Sequence, residues 1–359
     1  MSSLTAIDAF CGAGGLSLGL SQVGFNVLAG FDIDAKCIET QKNNPQRIQH
    51  AAIQADVKEM LNGKLLEISG IKAGELDLLA GGPPCQGFSV QRTIGKDHDV
   101  RNLLVDDYGD LIAEVKPLFF LMENVPGIGG KRGREIVERF KKRMFSLGYF
   151  CHDSILDTQD YGVPQRRRRF ILVGERLSEN GPFFEWPKKI QLNTMNSVRS
   201  AIGHLPPPPL DGSDHPDHYG HRADRISEKN RARLMALKEG QARDDLPEHL
   251  LADCHKISSN LIGHRNVYGR MAWEEVAPTI TARFDSFTRG KFGHPDQLRS
   301  ISLLEGSLLQ TFPIDYRFLG TKVEIARQIG NAVPPKFAAV LGQSIAQAIA
   351  KHKTVNCDF

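Results

Sequence analysis

Short apolar runs alternate with amphipathic stretches through the first half of the chain, the rhythm of repeated βα units that build a parallel sheet with helices on its faces. Apolar runs at residues 4–10, 26–31, 76–80, 118–122 and 170–173 predict strands. Between them the three-and-four spacing of apolar residues predicts helices over 34–43, 104–115 and 135–147. The rhythm breaks at Gly181, where Pro182, Pro187, the run Pro206-Pro207-Pro208-Pro209 and a polar tract over 211–225 mark a boundary. As far as Val276 few long apolar runs occur, which predicts a small core with a polar surface. Regularity returns over 329–350 as a buried helix. The fold expected is α/β with two lobes: a domain of residues 1–185 completed by 325–359, and a smaller domain with its hinge over 186–324.

Composition changes this picture little. The 359 residues, 41% hydrophobic and 24% charged, are ordinary for a globular protein and exclude a fibrous or mostly disordered chain. The net charge of +3 means that a nucleic-acid binder would have to gather its lysines and arginines on one face. No apolar run reaches the ~18 residues of a membrane span, and Met1-Ser2-Ser3-Leu4 lacks the basic and apolar start of a signal peptide, so the cytoplasm is expected. The 6 cysteines form no C-x-x-C pair, which argues against a disulfide framework or thiolate zinc site.

Candidate chemistry begins at Phe10-Cys11-Gly12-Ala13-Gly14-Gly15, which follows a predicted strand and opens a predicted helix. Glycines there let the backbone turn tightly and approach a ligand. Asp32, ending the next strand, suits ribose hydroxyls, and Asp56 suits an adenine-side contact; together they suggest a nucleoside cofactor. Other readings compete. The dinucleotide fingerprint fails at Ser17, whereas Gly15-Leu16-Ser17-Leu18-Gly19 matches the G-x-S-x-G elbow of serine hydrolases. A tight turn without any ligand is the plain alternative.

Gly81-Gly82-Pro83-Pro84-Cys85-Gln86-Gly87-Phe88-Ser89 places a thiol on a stiff loop at a strand's carboxyl end, where open α/β sheets bind ligands. An isolated cysteine is commonly buried and inert, but this proline and glycine framing aims the sulfur. Leu121-Met122-Glu123-Asn124-Val125-Pro126 ends another strand with an acid and an amide, either capping a turn or, if the two strands are adjacent and parallel, pairing an acid with the nucleophile. In Gln165-Arg166-Arg167-Arg168-Arg169 an extended backbone would split the arginines, one set facing the strand edge and the other solvent or phosphate.

These motifs, with Gln328-Ile329-Gly330-Asn331-Ala332-Val333-Pro334, occur in the order found in the DNA (cytosine-5) methyltransferase family, which the chain resembles over nearly its whole length. Pro278-Thr279-Ile280-Thr281-Ala282-Arg283 and the segment from Arg299 to Pro313 look like the motif that organises that family's target-recognition domain. The resemblance implies a Rossmann-like S-adenosylmethionine-dependent catalytic sheet and a separate recognition domain. It also implies transfer of a methyl group to carbon 5 of a flipped-out cytosine in a specific duplex DNA sequence, leaving S-adenosylhomocysteine, with no metal.

Position by position, the resemblance makes Cys85 the nucleophile at carbon 6 and Glu123 the acid at ring nitrogen 3. Asn124 orients the acid's loop, and Arg169, with Arg167 nearby, contacts the base. Phe10, Gly12, Gly14, Gly15, Asp32, Ile33, Asp56, Val57, Pro83, Leu104 and Asn331 are the implied cofactor contacts. Ser89, Arg92, Gln165 and Thr279 are the implied DNA contacts, with the loop 89–102 closing over the base. The implied enzyme is monomeric, works in the cytoplasm at the nucleoid, and belongs to the bacterial restriction-modification type, with a cognate endonuclease acting separately.

Two alternatives stand beside this reading. A transfer-RNA cytosine-5 methyltransferase shares the catalytic motifs, although Gly87-Phe88-Ser89 favours DNA. A catalytically silent DNA-binding module is the other. The basic stretch 131–143 reads as a solvated face rather than a DNA surface. His215, His218 and His221 read as a polar loop rather than a zinc site.

Overall fold

The computed structural model describes residues 3–84, 103–131, 133–190, 196–251 and 267–355. Along the chain run β1 (Leu4–Ala9), α1 (Gly15–Gln22), β2 (Phe25–Asp32), α2 (Ala35–Lys42), β3 (Ala51–Gln54), α3 (Lys64–Ser69) and β4 (Leu78–Gly81). There follow α4 (Leu103–Val115), β5 (Phe119–Asn124), α5 (Arg134–Ser146), β6 (Tyr149–Asp157) and β7 (Arg168–Arg176). Then come α6 (Val198–Ile202), α7 (Glu228–Ala236), α8 (Leu303–Leu309), α9 (Lys322–Asn331) and α10 (Pro335–Val355). Among the described residues no helix is long and apolar enough to cross a membrane.

The predicted strands and helices form where the apolar periodicity puts them, within a few residues at each end. They assemble a 7-stranded sheet in the order β3-β2-β1-β4-β5-β7-β6. The sheet is parallel, as expected, from β3 to β5, and β7 runs antiparallel to β5 and to β6. β3 and β6 gave no usable pattern because β3 is short and half exposed, and β6 carries Cys151-His152-Asp153-Ser154 at its centre. The expected helix over 329–350 is two helices, since Pro334 and Pro335 cannot continue α9.

The chain divides into two compact units, one of residues 1–161, 168–190 and 333–359, the other of 162–167 and 191–332. Thus 325–332, expected in the first domain, lies in the second unit, where Gln310 Nε2 donates to Ile329 O at 2.5 Å and Arg167 Nη1 to Gly330 O at 2.9 Å.

In the first unit Phe31, Leu79, Tyr108, Ile112, Phe120 and Phe140 are buried in one core, each worth roughly 1.5–3 kcal/mol as a transfer from water. α10 closes this unit against α1 at Gly19, where a Cβ would stand 2.3 Å from Pro335 O and 2.5 Å from Ala338 Cβ. Near the far end of α10, Lys353 Nζ lies 2.6 Å from Asp77 Oδ1, while Asp77 Oδ2 accepts from Thr5 N at 2.9 Å. α5 buries Val137, Phe140 and Met144, and its cations pair across to acids: Arg139 with Asp106, Lys141 with Asp153, Arg143 with Asp110.

The second unit is built around buried polar anchors. Arg270 donates to Leu234 O, Leu237 O, His294 O and Gln297 O, while Arg299 grips the fully buried Glu305 of α8 through two bonds at 2.6 and 2.7 Å. α8 is almost wholly buried, which accounts for how little charge it carries.

Candidate active site

Parallel pairing brings Ala9 opposite both Phe31 and Gly81, and Gly81 opposite Met122. The carboxyl ends of β1, β2, β4 and β5 therefore share one edge. The strand order reverses direction between β1 and β4, the position at which doubly wound sheets open a ligand crevice. The glycine loop follows one of these strands and Gly82-Pro83 the other.

The glycine loop is held from below. Phe10, Gly12 and Gly14 have φ of 57°, 51° and 84°, conformations that glycine adopts without strain and phenylalanine does not. Asp32 Oδ2 accepts from Gly12 N at 2.9 Å and its Oδ1 from Asp34 N at 2.8 Å, so each oxygen keeps lone-pair capacity for another donor. Burial raises the Asp32 carboxyl above its usual range. Gln41, buried on α2, donates to Gly12 O at 2.7 Å, and its Oε1 lies 3.1 Å from His50 Nε2. The Phe10 ring packs against Phe31 and Tyr108. Gly14 is the N-cap of α1 with no side chain bonded there, and Gly15 begins the helix.

Ile33 is 68% exposed at the end of β2, Val57 is buried, Leu104 is half-buried at the start of α4, and Asp56 Oδ1 caps the turn at Lys58 N. Open space surrounds the position a Cβ would take on Gly12. A glycine backbone facing open space, a carboxylate with spare acceptors and an exposed aliphatic side chain on one strand edge fit a nucleoside-bearing cofactor.

Ser17, the centre of the hydrolase-like pattern, is fully buried in α1, where its amide and hydroxyl both donate to Asp8 Oδ2, at 3.0 and 2.6 Å. Gly19 serves helix packing. A nucleophile elbow would present its serine at the turn itself, so that reading falls.

Beyond β5, Arg169 Nε lies 2.7 Å from Glu123 Oε1, each side chain 13% exposed. The ideal Cβ position of Gly82 is 3.6 Å from Glu123 Oε2, so the loop after β4 runs beside the acid. Asn124 Nδ2 donates to Pro83 O at 2.8 Å, and its Oδ1 accepts from Val125 N. The amide thus ties the two loops together. Cys85, Ser89, Arg92 and the loop 89–102 lie outside the described residues.

The arginine run splits as alternation requires. Arg166 and Arg168 are exposed, Arg167 is buried and Arg169 half-buried. The buried one, Arg167, gives Nη1 to Ile280 O and Gly330 O in the second unit. Gln165 is among the expected DNA contacts. It is fully buried, accepting from Ile280 N at 2.8 Å and donating to Gln310 Oε1 at 2.7 Å. Thr279 is half-buried and donates to Arg166 O, and Asn331 is exposed at the end of α9. His221 is buried with its ring nitrogens on Ser302 Oγ and Pro206 O.

Three residues that hold the site were missed. Asp8 and Gln41 carry no local motif. Tyr108, whose hydroxyl is 3.0 Å from both Leu79 O and Leu121 O, lies on the predicted apolar stripe of α4 and was legible only as core.

The family model of C-5 cytosine-specific DNA methylases matches residues 4–347. The chain is similar to the type II methylase M.HgiDII of Herpetosiphon aurantiacus, 37% identical with 94% of each chain covered. It is also similar to the type II methyltransferase M1.HphI of Haemophilus parahaemolyticus, 34% identical over 98% of this chain and 88% of that one. A solved structure of a putative DNA modification methyltransferase encoded within an E. coli prophage is 25% identical, covers 97% of this chain and 100% of that one, and superposes with a TM-score of 0.67. The strand-edge acid, the glycine loop and the match along almost the entire sequence converge: the chain belongs to the C-5 cytosine-specific DNA methylase family, and it is a DNA cytosine-5 methyltransferase.

Proposed function

We propose that the enzyme takes its methyl group from S-adenosylmethionine and places it on carbon 5 of a cytosine flipped out of a specific duplex sequence, through a covalent adduct on Cys85. The observation that carries this reading is the Glu123–Arg169 pair at 2.7 Å, beside a loop that Asn124 ties down through Pro83 O, two residues before the thiol.

Carbon 5 of cytosine is a poor nucleophile. Cys85 thiolate adds to carbon 6 while Glu123 shares its proton with ring nitrogen 3, which makes the ring an enamine whose carbon 5 can accept a methyl group. Arg169 holds Glu123 in place and offers its remaining donors to the exocyclic oxygen of the base. Solvent water then takes the carbon 5 proton, the carbon 6–sulfur bond breaks to release the thiolate, nitrogen 3 returns its proton to Glu123, and aromaticity is restored. A stacked base cannot present both carbons to such groups, so the nucleotide leaves the helix.

When bound, S-adenosylmethionine supplies an electrophilic methyl group. Phe10, Gly12, Gly14, Gly15, Asp32, Ile33, Asp56, Val57, Pro83 and Leu104 would hold it, and the family resemblance adds Asn331. Asp32 would orient the ribose and the Phe10 ring would shield the reacting centre from water. DNA contacts fall to Ser89, Arg92, Thr279 and the exposed Arg166 and Arg168, with sequence read by the second unit. The names of the relatives, type II methylases and methyltransferases, support a restriction-modification role; in this reading the enzyme acts as a monomer at the nucleoid, beside a separate endonuclease that cuts unmethylated sites.

Tritiated methyl transfer to duplex oligonucleotides, with transfer RNA as the competing acceptor, tests the reading. Transfer to duplex DNA is expected, a 5-fluorocytosine duplex should trap a covalent complex, and Cys85→Ser should lose both while still binding DNA. Normal turnover by Cys85→Ser defeats the adduct, and preferential labelling of transfer RNA defeats the DNA assignment.

A further inference from the structure

Asp8 sits two residues before the glycine loop, on a central strand, and is completely buried. Its Oδ2 takes both Ser17 bonds, whereas Oδ1, equally buried, has no hydrogen-bond partner among the described residues. The neighbouring strands place Gly30 and Ala80 beside it, neither of which can ionise. Among the described residues the titratable groups that act on it or feel it are Asp32 from β2, Cys11 from the loop and Tyr108 from α4, and none of these is a cation. A carboxyl so placed keeps its proton: burial pushes it up to about 7, against the downward pull of the Ser17 bonds and with a further push from Asp32.

We propose that Asp8 senses charge in the cofactor pocket, giving up its proton to solvent when a sulfonium cation enters and thereby favouring the methyl donor over its neutral thioether product. The inference rests on the cofactor reading above. Donor and product share the adenosine and the amino-acid zwitterion, differing in one methyl group and one positive charge. Shape can do little with so small a difference, but a buried carboxylate attracts the cation and leaves the thioether nearly unaffected. Linkage makes the effect reciprocal. If the cation lowers the proton affinity of Asp8, deprotonation tightens donor binding by the same factor. Donor affinity should therefore climb as pH rises through about 7 and level off above it, while product affinity stays flat.

Calorimetric titration of the full chain with S-adenosylmethionine and with S-adenosylhomocysteine at pH 6, 7 and 8, in two buffers of different ionisation enthalpy, reads both affinities and the protons released. The product-to-donor Kd ratio is expected to grow about fivefold from pH 6 to pH 8, the change that a downward shift of one pKa unit in Asp8 produces across that range. Protons should be released on donor binding and none on product binding. Asp8→Asn, which keeps an acceptor for Ser17, should flatten the ratio and abolish the release. A flat ratio in the unaltered enzyme, or an equal slope in Asp8→Asn, overturns the proposal, and the wild-type proton count decides it even if the variant does not fold. Failure of both ligands to bind at every pH would instead remove the cofactor reading, and this inference with it.

Discussion

Glu123 is held by geometry that a neutral side chain cannot reproduce. Its Oε1 meets a guanidinium at 2.7 Å while Oε2 faces the loop that follows β4. Glu123→Gln keeps the shape and an acceptor for Arg169 Nε, but it loses the charge of the ion pair and has no acidic proton to share with the pyrimidine. Single-turnover methyl transfer should slow by ~100-fold or more, the size of a general-acid effect, with DNA affinity little changed. A smaller loss would reduce Glu123 to positioning the base. The strand-end acid and the alternation of the arginines were readable because both follow from local chain geometry. The destinations of Arg167 and Gln165 were not readable, since their partners Ile280, Gly330 and Gln310 lie more than a hundred positions along the chain. Asp8 escaped for the opposite reason: nothing around it in sequence distinguishes a buried acid from a strand-edge one.

α8 shows how an element with little amphipathic signal can still be fixed in place. Ser302 and Glu305 cap its first turn reciprocally, and the same glutamate carries both bonds from Arg299. Glu305→Gln would leave a buried guanidinium without its counter-charge, a loss of about 3–5 kcal/mol, expected as a lower urea midpoint for the second unit. Replacing both partners, as Arg299→Met with Glu305→Leu, should recover much of that loss, because two matched apolar groups leave no charge stranded. Among the strands, legibility tracked burial. β1, β4 and β5 bury nearly every residue and were read directly, whereas β6, exposed at the edge of the sheet, lacked both a clean alternation and an apolar run. The antiparallel turn of β7 left no mark either, since strand direction depends on what the intervening chain does in space.

Across the whole molecule, buried ionisable groups set the response to acid. Burial holds His50 and His294 down to about 4, so below the ordinary histidine range each is neutral when folded but protonated when unfolded, and stability falls with pH until about 4. Glu305 adds to the loss at lower pH: burial alone would raise its carboxyl, but Arg299 brings it below the usual value, and its contribution disappears as pH drops through that depressed range. Asp8 acts in the other direction, retaining its proton up to about 7 when folded and so partly offsetting the histidines. Urea midpoints should therefore decline from pH 7 to pH 5, more steeply in Asp8→Asn and less so in His294→Gln. A further consequence lies in the Asp77 junction, where Thr5 from the first strand and Lys353 from the last helix meet the same carboxylate. Lys353 could be joined to Leu4 there by a linker and the chain reopened at Leu210, 86% exposed in the second unit. In such a circular permutant the final helix would precede the first strand, and a catalytic unit now assembled from separated stretches would emerge from the ribosome as a nearly unbroken run.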